Sequence, residues 1–232
     1  MKILKKILIL AGMIAVSTAF FSCSASKSAG PAKFTKGLNL SKWFETWNNS
    51  IPNLKVYDKQ DFINIKNLGC DVVRVPVHFA SFVNDKKEIN PIIYEYLDKA
   101  CDWAEELGMY IVIDNHSFNS GTYPTPAKVE ESLLLLWPQI AAHYKNRSNY
   151  IVYEILNEPQ FGNKEWEPIQ KKTLEAIRKV DKKHTVVVTG AEWSGLNAMC
   201  SLQPLEDKNL IYTFHFYEPF IFTHQGANWG DP

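Results

Sequence analysis

The chain has 232 residues, in which 25 Lys and Arg balance 25 Asp and Glu, so its formal net charge is zero. Apolar residues make up 46% and charged residues 22%, which is typical of a globular protein and argues against a disordered, collagenous or coiled-coil chain. Because there is neither net positive charge nor a basic block, no nucleic-acid partner is expected. The length corresponds to a single domain.

The N-terminal segment has the pattern of an export signal. Three lysines among the first six residues precede an apolar run at residues 7–21, which is too short to span a bilayer comfortably. A small residue directly before Cys23, with a polar run after it, resembles a bacterial lipoprotein lipobox. We therefore predict a signal peptide at residues 1–22, a lipid-modified Cys23 and a flexible tether at residues 23–33. The protein would be an exported, membrane-anchored lipoprotein facing the periplasm or the cell exterior; the alternative is an ordinary secretory signal cleaved nearby.

No metal or disulfide pattern is apparent. The three cysteines after Cys23 are odd in number, and none has Cys-x-x-Cys spacing. Asp114, His116 and His215 lack the compact spacing of a metal-ligand set. We expect no metal and no cofactor.

From residue 34 onward, short apolar strands alternate with amphipathic helices. The strand candidates are near-continuous apolar runs, as expected of parallel strands buried on both faces: Gly37–Leu40, Val72–Val77, Tyr110–Asp114, Tyr150–Leu156, Thr185–Thr189 and Leu210–Phe216. The helix candidates carry an apolar stripe at helical spacing: Asp61–Leu68, Pro91–Leu107, Val129–Tyr144 and Glu165–Lys182. The spacing between strands is that of successive βα units.

Six such units indicate an α/β fold. Periodicity alone leaves a doubly wound sheet and a (β/α)8 barrel open. A dinucleotide-binding sheet would have Gly-x-Gly-x-x-Gly after its first strand, and neither that motif nor a Walker-type loop is present. Most strands end in polar or aromatic residues, which favours the barrel, because barrel active sites are built from the C-terminal ends of the strands.

Side chains two residues apart lie on one face of a strand, so the sequence shows which polar side chains at the strand ends point the same way. If those faces point into the barrel, five side chains meet at one lip: Arg74, His116, Glu158, His215 and Tyr217. An arginine within the apolar run at residues 72–77 is costly to bury unpaired, so we expect a carboxylate beside it.

The sharpest motif is Asn157-Glu158-Pro159, directly after the fourth strand. Pro159 ends the ladder and restricts the backbone. A carboxyl group in a partly desolvated pocket is suited to act as a general acid near neutral pH. The alternative is that Asn157 and Glu158 merely cap the next helix.

The chain resembles glycoside hydrolase family 5, the cellulase-type retaining β-glycosidases of (β/α)8 fold. The matching stretches appear in family order from about residue 34 to the end: Gly37-Leu38-Asn39-Leu40 with Trp43-Phe44-Glu45, Arg74-Val75-Pro76, Asp114-Asn115-His116, Tyr153-Glu154-Ile155-Leu156-Asn157-Glu158-Pro159, and Phe214-His215-Phe216-Tyr217. The resemblance implies hydrolysis of a β-linked polysaccharide. The motifs favour β-1,4-glucan, with β-mannan or xyloglucan as alternatives.

The resemblance also implies residue roles. Glu158 would be the acid/base, Asn157 would bind the sugar 2-hydroxyl, and Arg74 would pair with the nucleophile carboxylate. His215 and Tyr217 would line the nucleophile site, with Tyr217 bonding the nucleophile.

Two further residues are assigned with alternatives. His116 would contact the innermost sugar, and Trp193 would be a sugar platform. For His116 and His215, the alternative is a hydrogen-bonded core histidine; for Trp193, it is plain packing. Glu154 is expected to be a buried carboxylate paired inside the barrel.

One family element is not matched. Retaining glycosidases need a second carboxylate about 5 Å from the first, and the family supplies it after a seventh strand. Residues 34–232 provide six units, short of the roughly 250 residues of a full barrel. We therefore expect the nucleophile to lie beyond Pro232, the chain to be a truncated barrel, and this piece alone to be unstable and inactive. A non-catalytic glycan-binding lipoprotein is the competing hypothesis.

Overall fold

Six parallel strands form one curled sheet, in which each strand pairs with the next along the chain. The computed structural model describes residues 30–45, 54–118 and 123–227. The strands are β1 (Gly37–Asn39), β2 (Val72–Val77), β3 (Tyr110–Asn115), β4 (Ile151–Glu154), β5 (Thr185–Thr189) and β6 (Leu210–Thr213). All six predicted strands are present, and the prediction of a (β/α)8 barrel represented by six units is confirmed.

Helices connect the strands and cover the outer face of the sheet. They are α1 (Lys59–Asn67), α2 (Pro91–Glu106), α3 (Pro126–Tyr144), α4 (Asn163–Val180), α5 (Leu196–Ser201) and α6 (Phe220–Thr223), with a 3-10 turn at Phe79–Phe82. The four predicted helices correspond to α1 to α4. Their ends follow local chemistry: Asn90 caps α2 and Pro91 begins it, while Gly108 follows it at φ 60°. The two short helices and the 3-10 turn were not predicted.

Two buried tryptophans on the helices form hydrogen bonds to the backbone at the strand ends where the site lies. The Trp137 indole on α3 donates to the Ile155 carbonyl at 2.9 Å, and the Trp166 indole on α4 donates to the Thr189 carbonyl at 2.8 Å. Both rings are fully buried, so each satisfies its polar edge while filling the core. The backbone that leads into Asn157 is thereby held from outside the sheet.

The inner face of the sheet begins with an apolar layer and then becomes charged. Four valines, one from each of β2 to β5, form this layer: Val72, Val112, Val152 and Val187. Phe34 and Ala32 pack against it, and the Ala32 amide donates to the Thr185 hydroxyl at 2.9 Å. The end of the segment assigned to the tether therefore lies against the bottom of the barrel.

The predicted signal peptide and Cys23 lie outside the described residues. Within the described parts of the chain, no helix is both long and apolar enough to cross a bilayer.

A buried acid–base pair, Asp181 and His184, lies between the end of α4 and the start of β5. Asp181, after α4, accepts hydrogen bonds from His184 and from the Tyr153 hydroxyl, the latter at 2.8 Å. Burial alone would raise the pKa of Asp181, but these hydrogen bonds and that of the Lys183 amide outweigh it and lower the pKa to about 2.

This depressed pKa makes a testable contribution to stability. It should be worth about 2 kcal/mol, present in full above the unfolded-state pKa near 3.8 and lost as the pH falls toward 2. Urea unfolding of wild type and Asp181→Asn at pH 6 and at pH 2.5 checks this. The difference between the two proteins should shrink at the lower pH, and a constant difference would contradict the assignment.

Candidate active site

The C-terminal ends of the strands surround an open cavity of about 620 Å³. The side chains that line it include six of the seven candidate site residues: Arg74, His116, Asn157, Glu158, His215 and Tyr217. β2, β3, β4 and β6 deliver them, as the strand-end comparison predicted. The alternative that Asn157 and Glu158 cap the next helix is wrong, because α4 begins five residues further on and Gly162 is its N-cap.

Arg74 is held by two carboxylates inside the barrel. It forms a two-bond contact with Glu154, at 2.7 and 2.8 Å, and an ion pair with Asp114 at 2.8 Å. Burial would lower the pKa of Arg74, but Asp114 and Glu154 more than offset it, and the net shift is upward. We expected one carboxylate beside Arg74, and the structure places two there, Glu154 and Asp114.

Asn157 lies between Arg74 and His116. Its Oδ1 accepts from Arg74 Nη2 at 3.0 Å, and its Nδ2 lies 3.2 Å from His116 Nε2. The Asn157 backbone amide donates to the Asn115 carbonyl at 3.0 Å. Both the main chain and the amide group of this residue are therefore fixed relative to β2 and β3.

Glu158 is turned toward the cleft, where it is 28% exposed, and accepts from His215 Nδ1 at 2.6 Å. Its φ of 47° lies in the left-handed region, which a glutamate rarely adopts. Such backbone strain is concentrated at functional sites. The sequence had placed His215 beside the nucleophile; in the structure its ring nitrogen contacts the proposed acid/base.

A second cavity of about 760 Å³ adjoins the first and shares Glu158, His215 and Tyr217 with it. Trp193 lines this second cavity and is 54% exposed. It sits in a run of left-handed residues, Glu192 to Ser194, with φ between 52° and 59°. The indole is therefore available at the side of the site and is not part of the core.

Tyr217 lies at the junction of the two cavities and is half-exposed. Burial, together with the negative charge of Glu158, raises the pKa of its phenol. The hydroxyl is thus kept as a neutral hydrogen-bond donor near the proposed acid.

Three contacts of the site were missed by the sequence analysis. They are the ion pair of Asp114 with Arg74, the Asp114–His116 contact at 2.7 Å, and the bond from Arg74 Nη1 to Asn39 Oδ1 at 3.0 Å. The sequence offered one sign of the Asp114 contacts, because Asp114 shares a strand face with His116. Across residues 30–45, 54–118 and 123–227, no three His, Cys, Asp or Glu side chains converge as metal ligands would.

The whole described fold, including the strand-end motifs, lies within a match to one known family. Residues 28–232 match the family described as Cellulase (glycosyl hydrolase family 5). The chain belongs to glycosyl hydrolase family 5.

Individual relatives are consistent with this assignment. Endoglucanase 3 of Fibrobacter succinogenes is 28% identical over 216 residues, covering 84% of this chain and 33% of that protein. Cellodextrinase A of Ruminococcus flavefaciens is 30% identical over 207 residues, covering 84% of this chain and 61% of that protein. The crystal structure of endoglucanase Cel5A from Thermotoga maritima is 32% identical with a TM-score of 0.76, covering 84% of this chain and 64% of Cel5A. The chain thus spans between one third and two thirds of these relatives' lengths.

Proposed function

We propose that the protein hydrolyses β-1,4-linked glucan with retention of configuration, and that Glu158 is the acid/base. The observation that carries this is the position of Glu158, which faces the cleft at the end of β4, bonded to His215 and beside the clamped Asn157. The endoglucanase and cellodextrinase relatives support glucan as the substrate. Structures of the Thermotoga enzyme with cellobiose and with mannotriose make β-mannan the substrate to test beside it.

The proposed roles are those that the family resemblance implies, and the geometry is compatible with them. Glu158 would protonate the glycosidic oxygen and, in the second step, remove a proton from water. Asn157 would bind the sugar 2-hydroxyl, a contact that strengthens as positive charge develops on the ring. His215 fixes the direction of the Glu158 carboxyl group through the 2.6 Å bond.

We propose that the nucleophile is a glutamate that lies outside residues 1–232. Asp114 and Glu154, the carboxylates nearest Arg74, already serve as its ion-pair partners inside the barrel. Neither is left to attack a sugar. Residues 1–232 alone are therefore expected to lack turnover.

The deciding experiment is covalent trapping. The full-length protein, which comprises residues 1–232 and the segment proposed to carry the nucleophile, is treated with a 2-fluoro cellobioside that forms a long-lived glycosyl ester, and the labelled peptide is sequenced by mass spectrometry. The kinetic variants below are made in the same full-length protein. We expect the label on a glutamate that is neither Glu158 nor any other residue of this chain. A label on Glu192 or Glu218 would contradict our placement of the nucleophile. No label, no turnover and retained glucan binding would contradict the enzyme and favour the glycan-binding alternative.

Trp193 is proposed as a sugar platform at the second cavity. Because the ring is more than half exposed, Trp193→Ala should leave the melting temperature almost unchanged. Loss of stacking worth about 1 kcal/mol should raise KM for cello-oligosaccharides about fivefold. Trp193→Phe should retain most of the affinity, and an unchanged KM in Trp193→Ala would contradict the sugar-platform role.

We also propose export and membrane attachment through Cys23. Membrane fractionation of cells that produce wild type or Cys23→Ser tests this. The variant should leave the membrane fraction, and its continued presence there would contradict a lipid anchor at this residue.

A further inference from the structure

Four side chains in the cleft form a closed ring of polar contacts, which consists of three hydrogen bonds and one ion pair. Asp114 Oδ2 contacts both Arg74 Nη2, at 2.8 Å, and His116 Nδ1, at 2.7 Å. Arg74 Nη2 continues to Asn157 Oδ1 at 3.0 Å, and Asn157 Nδ2 returns to His116 Nε2 at 3.2 Å. Within the described residues the other oxygen of Asp114 has no hydrogen-bond partner, so Oδ2 alone joins the two halves of the ring.

The direction of every bond in the ring follows from one fact: an arginine can only donate. The Asn157 atom facing Arg74 must therefore be the oxygen, and the atom facing His116 must be the nitrogen. Because that nitrogen carries hydrogens, His116 Nε2 must accept and must be unprotonated. The His116 proton then resides on Nδ1, where Asp114 Oδ2 accepts it.

We propose that Asp114 is a positioning residue, which through Arg74 and His116 sets the orientation of the Asn157 amide, and that protonation of His116 at Nε2 releases this amide. The inference rests on the proposed function, because it concerns the contact that Asn157 would make with the sugar 2-hydroxyl. With the ring closed, one Asn157 N–H is directed to His116 and the other remains for the sugar.

The structure also provides a partner for the protonated state. Glu45 Oε1 lies 4.0 Å from His116 Nε2 and is largely buried. A proton on Nε2 would face the Asn157 N–H at 3.2 Å, so two donors would oppose each other, whereas Glu45 would attract the same proton. The amide would then rotate or withdraw and give up its bond to Arg74.

Among the described residues, the charged groups that face His116 include Asp114 on β3, Arg74 on β2 and Glu45 after β1. Burial lowers the pKa of His116, and Arg74 acts in the same direction, but Asp114 and Glu45 outweigh them and the pKa is raised above 6.5. Since only neutral His116 closes the ring, activity should fall as the pH drops through this raised pKa. Removing the Asp114 charge should move the fall to lower pH.

The test combines the tautomer of His116 with a pH profile, using Asp114→Asn and the matched control Asp181→Asn. Asp181 is also a buried aspartate bonded to a histidine, but it lies away from the cleft. Long-range nitrogen–proton NMR correlations of wild type should show neutral His116 protonated on Nδ1. In Asp114→Asn the His116 pKa should fall, because the carboxylate that raises it is lost, and the acid limb of kcat/KM should move to lower pH by the same amount.

The measurements distinguish a positioning role of Asp114 from a general effect on protein stability. Asp181→Asn should lower the melting temperature but leave the acid limb in place. At pH values where His116 is neutral, Asp114→Ala should lower kcat more than it raises KM, since the Asn157 contact tightens in the transition state. Neutral His116 protonated on Nε2, or an acid limb unmoved in Asp114→Asn, would overturn the proposal. If no variant hydrolyses any β-glycan, the proposed function fails, but the NMR result on His116 still decides whether the ring exists.

Discussion

Glu158→Gln is expected to lower kcat/KM on β-1,4-glucan by about 10³-fold, within the range that positioned general acids contribute. The glutamine amide keeps the size of the side chain, and its oxygen can still accept from His215. It cannot deliver a proton to the glycosidic oxygen. Rates on soluble glucan, measured by the release of reducing ends, provide the measurement.

The substrate itself offers an internal control. An aryl cellobioside with an acidic phenol leaves without protonation, so its bond cleavage should lose far less rate in Glu158→Gln than that of the polymer. Glu175→Gln, on the exposed side of α4, removes a carboxylate of the same kind and should leave both rates unchanged. Polymer hydrolysis by Glu158→Gln within tenfold of wild type would place the acid elsewhere.

Arg74→Met is expected to lower the free energy of unfolding by about 3 to 5 kcal/mol, because it leaves Asp114 and Glu154 as uncompensated buried charges. For a domain of this size, that corresponds to a fall of roughly 10 °C in the melting temperature. Urea and thermal unfolding measure it. Arg74→Met combined with Glu154→Gln should recover part of the loss.

Arg147→Met is the matched control for Arg74→Met. Arg147 also bridges two carboxylates, Asp102 and Glu105, but at the surface, where its partners are 54% and 22% exposed. Its loss should cost no more than about 1 kcal/mol. Equal losses for the two arginines would show that burial of the Arg74 cluster contributes nothing.

The sequence identified the strands reliably where an apolar run ends abruptly. β2 and β5 have the predicted bounds, residues 72–77 and Thr185–Thr189, even though Arg74 and Pro76 interrupt the apolar run of β2. β4 and β6 were predicted to extend further than they do. Ile155 and Leu156 are buried like strand residues, and the Ile155 amide still donates to the Val187 carbonyl of β5, but the Ile155 carbonyl accepts from the side chains of Trp137 and Asn115. Such a contact with a helix cannot be seen in an apolar run.

The side chains of the site were identifiable because alternation along parallel strands directs them to one edge. Their pairing was not, because it depends on register between strands distant in sequence. His215 is 57 residues from Glu158, and only the structure shows that it contacts Glu158. Asp114 was visible as a strand-face neighbour of His116, but its bond to Arg74 depends on how β2 and β3 are aligned.

The Ala32–Thr185 contact also determines how the protein would stand on a cell. Ala32 bonds at the pole where β5 begins, while Glu158 follows the opposite end of the neighbouring strand. Cys23 and Ala32 are nine positions apart in the chain, a reach of about 30 Å when fully extended. A lipid on Cys23, as proposed, would therefore hold the Ala32 end of the barrel near the bilayer and leave the cleft that contains Glu158 on the side facing the surroundings.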